Sequence, residues 1–116
     1  MNLEFKYIKD KGNLKDERIV LKAKKSLDIG YFFVLLSKKH PKGGVSSTVR
    51  ETFWFPDKQI NEGDLIVLYT KSGTDTSSKN KDGTFSHFFY WGLPNVIFND
   101  ESDKAVILEG SDYMII

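Results

Sequence analysis

The most apolar segment of the chain is Ile29–Leu36, which reads Ile-Gly-Tyr-Phe-Phe-Val-Leu-Leu. Only Gly30 interrupts it, and aromatic residues are frequent within it. An apolar run of this length is too short for a typical helix and is characteristic of a strand covered on both faces. The sequence therefore predicts a central β-strand at this position.

Shorter segments on either side of this run alternate between apolar and polar residues, which is typical of half-buried strands. Leu3, Phe5 and Tyr7 alternate in this way, and so do Ile19, Leu21 and Ala23. In Thr48–Phe55 the alternation places Trp54 on the polar side. Further strands are predicted at Leu65–Thr70, Phe85–Trp91, Val96–Phe98, Ala105–Glu109 and Tyr113–Ile116. Residues 71–84 are polar and are predicted to form a long hairpin loop, with its tip at Asn80–Gly83.

The number and spacing of these segments predict an all-β fold. Eight or nine short strands are separated by Gly, Pro, Asn and Asp, and no window has helical periodicity over three turns, so a sandwich or barrel is expected. A chain of 116 residues fits one domain, and we assign residues 1–116 to it. A chain of this size buries roughly two-thirds of its unfolded surface, enough for a core without disulfides or metal.

Three motifs, in this order, resemble the lamin-tail domain family. They are Glu17–Leu21 followed by Leu27–Tyr31, then Phe55–Asp57 followed by Glu62–Tyr69, and finally Phe98–Asn99 followed by Ser102–Leu108. Tyr31 stands where the family usually has Trp, and Ser102 where it usually has Gly. The resemblance implies an immunoglobulin-like β-sandwich that has no catalytic site and serves as an interaction module.

Several classes of protein are disfavoured by composition. The chain has no cysteine, which excludes disulfide scaffolds, thiol nucleophiles and cysteine-based zinc sites. Met1–Lys6 has no apolar leader and no apolar run is long enough to span a membrane, so we expect neither a signal peptide nor a transmembrane segment. The compartment is not determined by the sequence; it is cytoplasmic if this N-terminus is the native one.

Catalytic and metal-binding signals are weak. The histidines are His40 and His87, and no nucleophile elbow accompanies either of them. A histidine within a strand is more often packed or exposed than catalytic, so we predict that the chain is not an enzyme and has no cofactor. Asn99–Asp103 is rich in oxygen ligands but lacks the spacing of a calcium loop, so we interpret it as a turn and predict no metal site.

Charge is distributed unevenly, and this suggests two kinds of partner. Residues 1–50 carry a net +7 and residues 51–116 a net −6. We favour the interpretation that strands from both halves interleave and mix these charges. The alternative is nucleic-acid binding by a basic loop made of Lys38, Lys39, His40 and Lys42.

Trp54 is the candidate aromatic anchor for either kind of partner, since an exposed ring can hold a protein contact or stack on a base. Another protein is the favoured partner, nucleic acid is the alternative, and a homodimer through an edge strand is also compatible with the sequence. Stacking on a sugar is a third use of exposed rings that nothing in the sequence singles out.

Overall fold

The chain folds into ten β-strands and one short 3₁₀ turn in this computed structural model, which describes residues 1–116. The first five strands are β1 (Leu3–Lys9), β2 (Arg18–Ala23), β3 (Leu27–Asp28), β4 (Phe32–Lys38) and β5 (Glu51–Trp54). The others are β6 (Gln59–Ile60), β7 (Leu65–Tyr69), β8 (Thr76–Lys79), β9 (Phe85–Tyr90) and β10 (Asp103–Glu109). The 3₁₀ turn, Ile29–Tyr31, is three residues long, and no helix here could cross a membrane.

The strands form three sheets. A five-stranded sheet has the order β1-β2-β7-β9-β8, a three-stranded sheet has the order β10-β4-β5, and β3 pairs with β6 alone. Every pairing is antiparallel except that of β7 with β9. The connection between β7 and β9 therefore returns to the same end of the sheet, and β8 pairs on the far side of β9.

One hydrophobic core fills the space between the sheets. It contains 15 buried residues, among them Leu21, Phe32, Val34, Ile66 and Phe89. The radius of gyration of 14.3 Å is close to the roughly 13 Å expected for a compact chain of this length. The predicted all-β class and the sandwich architecture are confirmed.

The apolar run that predicted a central strand is partly correct. Its strand, β4, does lie between β10 and β5. The prediction of cover on both faces is wrong, because Phe32 and Val34 are buried while Phe33 and Leu35 on the other face are only half-buried. The outer face of the three-stranded sheet is therefore only partly covered.

The predicted long hairpin loop at 71–84 is wrong, although its tip is correct. Thr76–Lys79 forms an edge strand, so Asn80–Gly83 connects β8 with β9 rather than β7 with β9. All four residues of β8 are exposed, so the strand has no buried face that would produce an apolar alternation.

Two predicted strands do not form. Residues 96–98 are irregular, because the backbone N–H groups of Ile97 and Phe98 donate to the Glu17 carboxylate rather than to a strand. Residues 113–116 are irregular and exposed.

Candidate functional site

A concave groove lies where β4 begins and where β5 and β10 end. Its cavity volume is about 730 Å³, within the range typical of ligand-binding clefts. We call it the Trp54 groove. Its lining residues are Asp28, Gly30, Tyr31, Phe33, Thr52, Trp54, Asp57, Gly110, Ser111, Asp112 and Tyr113.

Trp54 is exposed but held in a fixed position. Alternation along β5 directs Phe53 to the core and Trp54 to the outer face, where it remains 58% exposed. Its indole Nε1 donates a hydrogen bond of 2.7 Å to the carbonyl oxygen of Gly30. The ring centroids of Phe33 and Tyr113 lie 6.4 Å and 5.7 Å from that of Trp54. A large apolar ring is thus presented to solvent in a single orientation.

The floor of the groove is the 3₁₀ turn. Asp28 precedes this turn, and its Oδ1 accepts hydrogen bonds from the backbone N–H groups of Gly30 (2.8 Å) and Lys58 (3.1 Å). A Cβ at position 30 would collide with the Asp57 carboxylate and lie only 3.0 Å from the Asp57 Cα. Residue 30 must therefore be glycine for the segments at 28–31 and 57–58 to approach this closely.

The opposite wall comes from the segment after β10. The Gly110 N–H donates to the carbonyl oxygen of Tyr31 at 2.8 Å, which places residues 111–113 beside the turn. Asp112 Oδ1 accepts the Tyr113 N–H at 2.8 Å. The groove is therefore assembled from three segments, at 28–33, 52–57 and 110–113, and the last of them is more than fifty residues from the other two along the chain.

The basic loop predicted from the sequence lies elsewhere, between β4 and β5. Lys38 Nζ is 2.7 Å from Asp103 Oδ1 and 3.4 Å from Asp100 Oδ2, and the hydrogen bond with Asp103 raises the pKa of Lys38 above its ordinary value. His40 is exposed, and its Nδ1 accepts the Lys42 N–H at 3.2 Å.

The five predicted site residues are not brought together. Lys38, Lys39, His40 and Lys42 do not line the Trp54 groove. Phe33 and Lys38 lie at opposite ends of β4, roughly 16 Å apart at the usual rise of a strand. A single small ligand cannot contact the basic loop and Trp54 at once.

His87 belongs to a separate hydrogen-bonded array that runs from the buried Asp64 to the exposed Ser77. Its Nε2 is 2.8 Å from Asp64 Oδ2, and its Nδ1 is 2.9 Å from Ser77 Oγ. Ser77 Oγ accepts a hydrogen bond from Lys58 Nζ at 2.6 Å. In a Ser-His-Asp catalytic triad the carboxylate holds Nδ1 and the hydroxyl contacts Nε2, so the two nitrogens are exchanged here. None of the four residues lines the Trp54 groove.

Asp64 acts as an anchor within this array. Burial alone would raise its pKa, but hydrogen bonds from His87 and from the backbone N–H groups of Phe85 and Asn61 outweigh burial and lower it. The carboxylate thereby joins the turn before β7 to the start of β9.

Sequence reasoning identified Trp54 but missed most of its neighbours. Asp57 follows β5 while Asp112 and Tyr113 follow β10, and no local sequence pattern predicts that these two segments meet. Gly30, which interrupts the apolar run of Ile29–Leu36, stands at a position where a Cβ would clash with Asp57.

Comparison of the chain with models of known families, with characterised proteins and with solved structures finds no match. The resemblance to lamin-tail domains stays a prediction, and the site is interpreted from its own geometry.

Proposed function

We propose that the chain is a non-catalytic interaction module of lamin-tail type and that it binds another protein through the Trp54 groove. The observation that carries this proposal is the exposure of Trp54 together with its fixation by Gly30. Exposed tryptophans in concave, well-packed surroundings dominate the binding energy of many interfaces. A ring that is already ordered loses little side-chain entropy when a partner covers it.

The apolar outer face of the three-stranded sheet extends this surface. Phe33 pairs across the strands with both Leu108 and Trp54, and Leu35 pairs with Val106 on the same face. Leu108 is 39% exposed. A partner segment lying along these residues could bury apolar area continuous with the groove.

Nucleic-acid binding is the alternative predicted from the sequence. The structure gives it less support than the groove gives to a protein partner, since the ammonium group of Lys38 is already paired with two aspartates. The residues of the basic loop that remain available to a nucleic acid are the exposed Lys39, His40 and Lys42.

Protein binding and nucleic-acid binding are distinguished by capturing partners from a native lysate, with and without nuclease. The captures use the wild type, Trp54→Ala and a matched control variant. Tyr7→Ala is that control, because Tyr7 is a 49% exposed aromatic on β1 that does not line the groove. We expect nuclease-resistant protein partners that bind the wild type and Tyr7→Ala but not Trp54→Ala.

Two results would contradict the proposal. One is a partner that binds Trp54→Ala as well as the wild type. The other is capture that disappears with nuclease and with the double variant Lys39→Glu/Lys42→Glu, which would assign the function to the basic loop.

A further inference from the structure

The lining of the Trp54 groove is acidic as well as aromatic. Asp28, Asp57 and Asp112 contribute carboxylates, and no Lys, Arg or His is among the lining residues. The chain as a whole has 17 Lys and Arg against 16 Asp and Glu, so this local excess does not follow from overall composition. The nearest lysine in sequence, Lys58, directs its Nζ to Ser77 at 2.6 Å instead.

The carboxylates of the groove are held in position and still have oxygen atoms free to accept hydrogen bonds from a ligand. The hydrogen bonds of Asp28 and Asp112 with backbone N–H groups involve Oδ1 in each case, so Oδ2 of each residue can accept from a ligand. Asp57 is exposed, and its Oδ1 lies against Gly30 at the floor of the groove. Three negative groups therefore surround one concave space.

The aromatic rings favour the same kind of occupant. Four rings line the groove, those of Tyr31, Phe33, Trp54 and Tyr113. The N–H of the indole is already bonded to Gly30, so Trp54 contributes its π-surface rather than a donor. Faces of aromatic rings attract cations, most strongly when the cation is partly desolvated, and nearby carboxylates add direct charge attraction.

We infer that the Trp54 groove binds a lysine or arginine side chain presented by a partner protein. This inference rests on the proposed function and names the chemistry of the bound segment. The carboxylates pair with the cationic head, the rings pack on the head and its aliphatic stem, and the outer face beside Phe33 receives flanking apolar residues. Neutral sugars and an anionic ligand lack the positive charge that this lining complements.

The test is a selection of displayed random 12-residue peptides on the wild-type protein, with binders to Trp54→Ala removed. We expect the retained peptides to share a Lys or Arg at one position. Replacing that residue by Gln in the synthetic peptide should weaken binding at least tenfold, and raising the salt concentration should weaken it further. Trp54 fluorescence provides the titration signal in a Trp91→Phe background, since Trp54 is then the only tryptophan.

The charge requirement is tested by Asp57→Asn/Asp112→Asn, which keeps the shape of the groove and removes two charges. We expect at least a tenfold loss of affinity for the selected basic peptide. Asp16→Asn/Asp75→Asn is the matched control, because neither residue lines the groove, and its affinity should equal that of the wild type. Urea midpoints of both double variants establish that the fold is intact.

Different results would contradict the inference about a basic side chain and the proposal that the groove binds a protein. Trp54-dependent peptides that lack a basic residue, or that bind Asp57→Asn/Asp112→Asn unchanged, overturn the inference and leave the binding function standing. If a neutral hexasaccharide quenches Trp54 fluorescence saturably and no peptide does, the groove binds sugars. If the protein self-associates and Trp54→Ala does not, the groove binds a second copy of the chain. Either result overturns the inference. Lysate partners indifferent to Trp54→Ala overturn the binding function itself.

Discussion

Among single residues, Glu17 has the most demanding environment. It is fully buried, and its Oε1 accepts from Thr70 Oγ1 at 2.6 Å and from the Ile97 N–H at 2.9 Å. Its Oε2 accepts from the N–H groups of Gly12 at 2.9 Å and Phe98 at 3.4 Å. One carboxylate thus holds a turn, the end of β7 and an irregular segment, each of which would otherwise have unpaired donors.

Glu17→Gln tests this role with almost no change of shape. The amide places an NH₂ group where an oxygen now accepts, so at least one buried donor loses its partner. We expect the free energy of unfolding to fall by about 2 kcal/mol, measured by urea denaturation. Glu62→Gln, the same change on an exposed carboxylate, should stay within about 0.5 kcal/mol of the wild type. Equal midpoints for the two variants would show that Glu17 does not hold these segments.

At the level of elements, Asp103 at the start of β10 joins all three strands of its sheet. Its side chain is fully buried, with Oδ1 2.7 Å from Nζ of Lys38, the last residue of β4, and 2.6 Å from Nη2 of Arg50, which precedes β5. Oδ2 accepts from the N–H groups of Asn99 and Asp100 at 2.8 Å and 3.0 Å. Burial alone would raise the pKa of Asp103, but these partners lower it to about 2.

This lowered pKa predicts an acid-sensitive sheet. The ordinary value is 3.8, so ionised Asp103 contributes stability that is fully present above about pH 5 and is lost as the pH falls through 4 towards 2. We expect Asp103→Asn to lower the free energy of unfolding by about 2 kcal/mol at pH 7, and this deficit to shrink as the pH is lowered. Urea denaturation between pH 7 and pH 2.5 measures it.

The control for Asp103 is Asp75→Asn, which changes an exposed aspartate outside the sheet. Its free energy of unfolding should follow that of the wild type at every pH. If Asp103→Asn lowered the free energy of unfolding equally at pH 7 and pH 2.5, the charge of the carboxylate would not be the cause. The effect would then come from a change of shape or packing alone.

The elements differ in how far their sequences predict them. β2, β7 and β9 were predictable because each carries apolar residues that build the core, and β4 because it contributes Phe32, Val34 and Leu36 to the same core. β8 was not, because Thr76–Lys79 buries nothing and is fixed by backbone pairing with β9. The strand predicted at 96–98 does not form for the opposite reason, since the side chains of Ile97 and Phe98 are buried while their backbone N–H groups donate to Glu17.

At the scale of the molecule, the basic first half and the acidic second half interleave. β2 pairs with β7 and β4 pairs with β10, so Lys38 and Arg50 meet Asp103 from the other half. The interpretation that the charges mix is supported by these pairs. The Trp54 groove was not predictable from the sequence, because its aspartates come from three distant segments and acquire a common field only after folding.

The single core shared by the sheets predicts that residues 1–116 unfold as one cooperative unit. Trp54 reports on the three-stranded sheet, and Trp91, which follows β9 and packs against the core, reports on the five-stranded sheet. In Trp91→Phe and in Trp54→Phe, the tryptophan fluorescence and the far-UV circular dichroism should change at the same urea concentration. The m-value should be on the order of 1–3 kcal/mol per M in both variants.

If the fluorescence and circular dichroism transitions did not coincide, the chain would contain two parts that unfold separately. If the Trp54 signal of Trp91→Phe changed at lower urea than the circular dichroism of the same variant, the three-stranded sheet would open while the five-stranded sheet stayed folded. The groove would then lie on a locally unstable element, and a partner bound there would stabilise that element alone. Coincident transitions instead require that a ligand in the groove stabilise the whole molecule, because the groove and the five-stranded sheet then share one unfolding equilibrium.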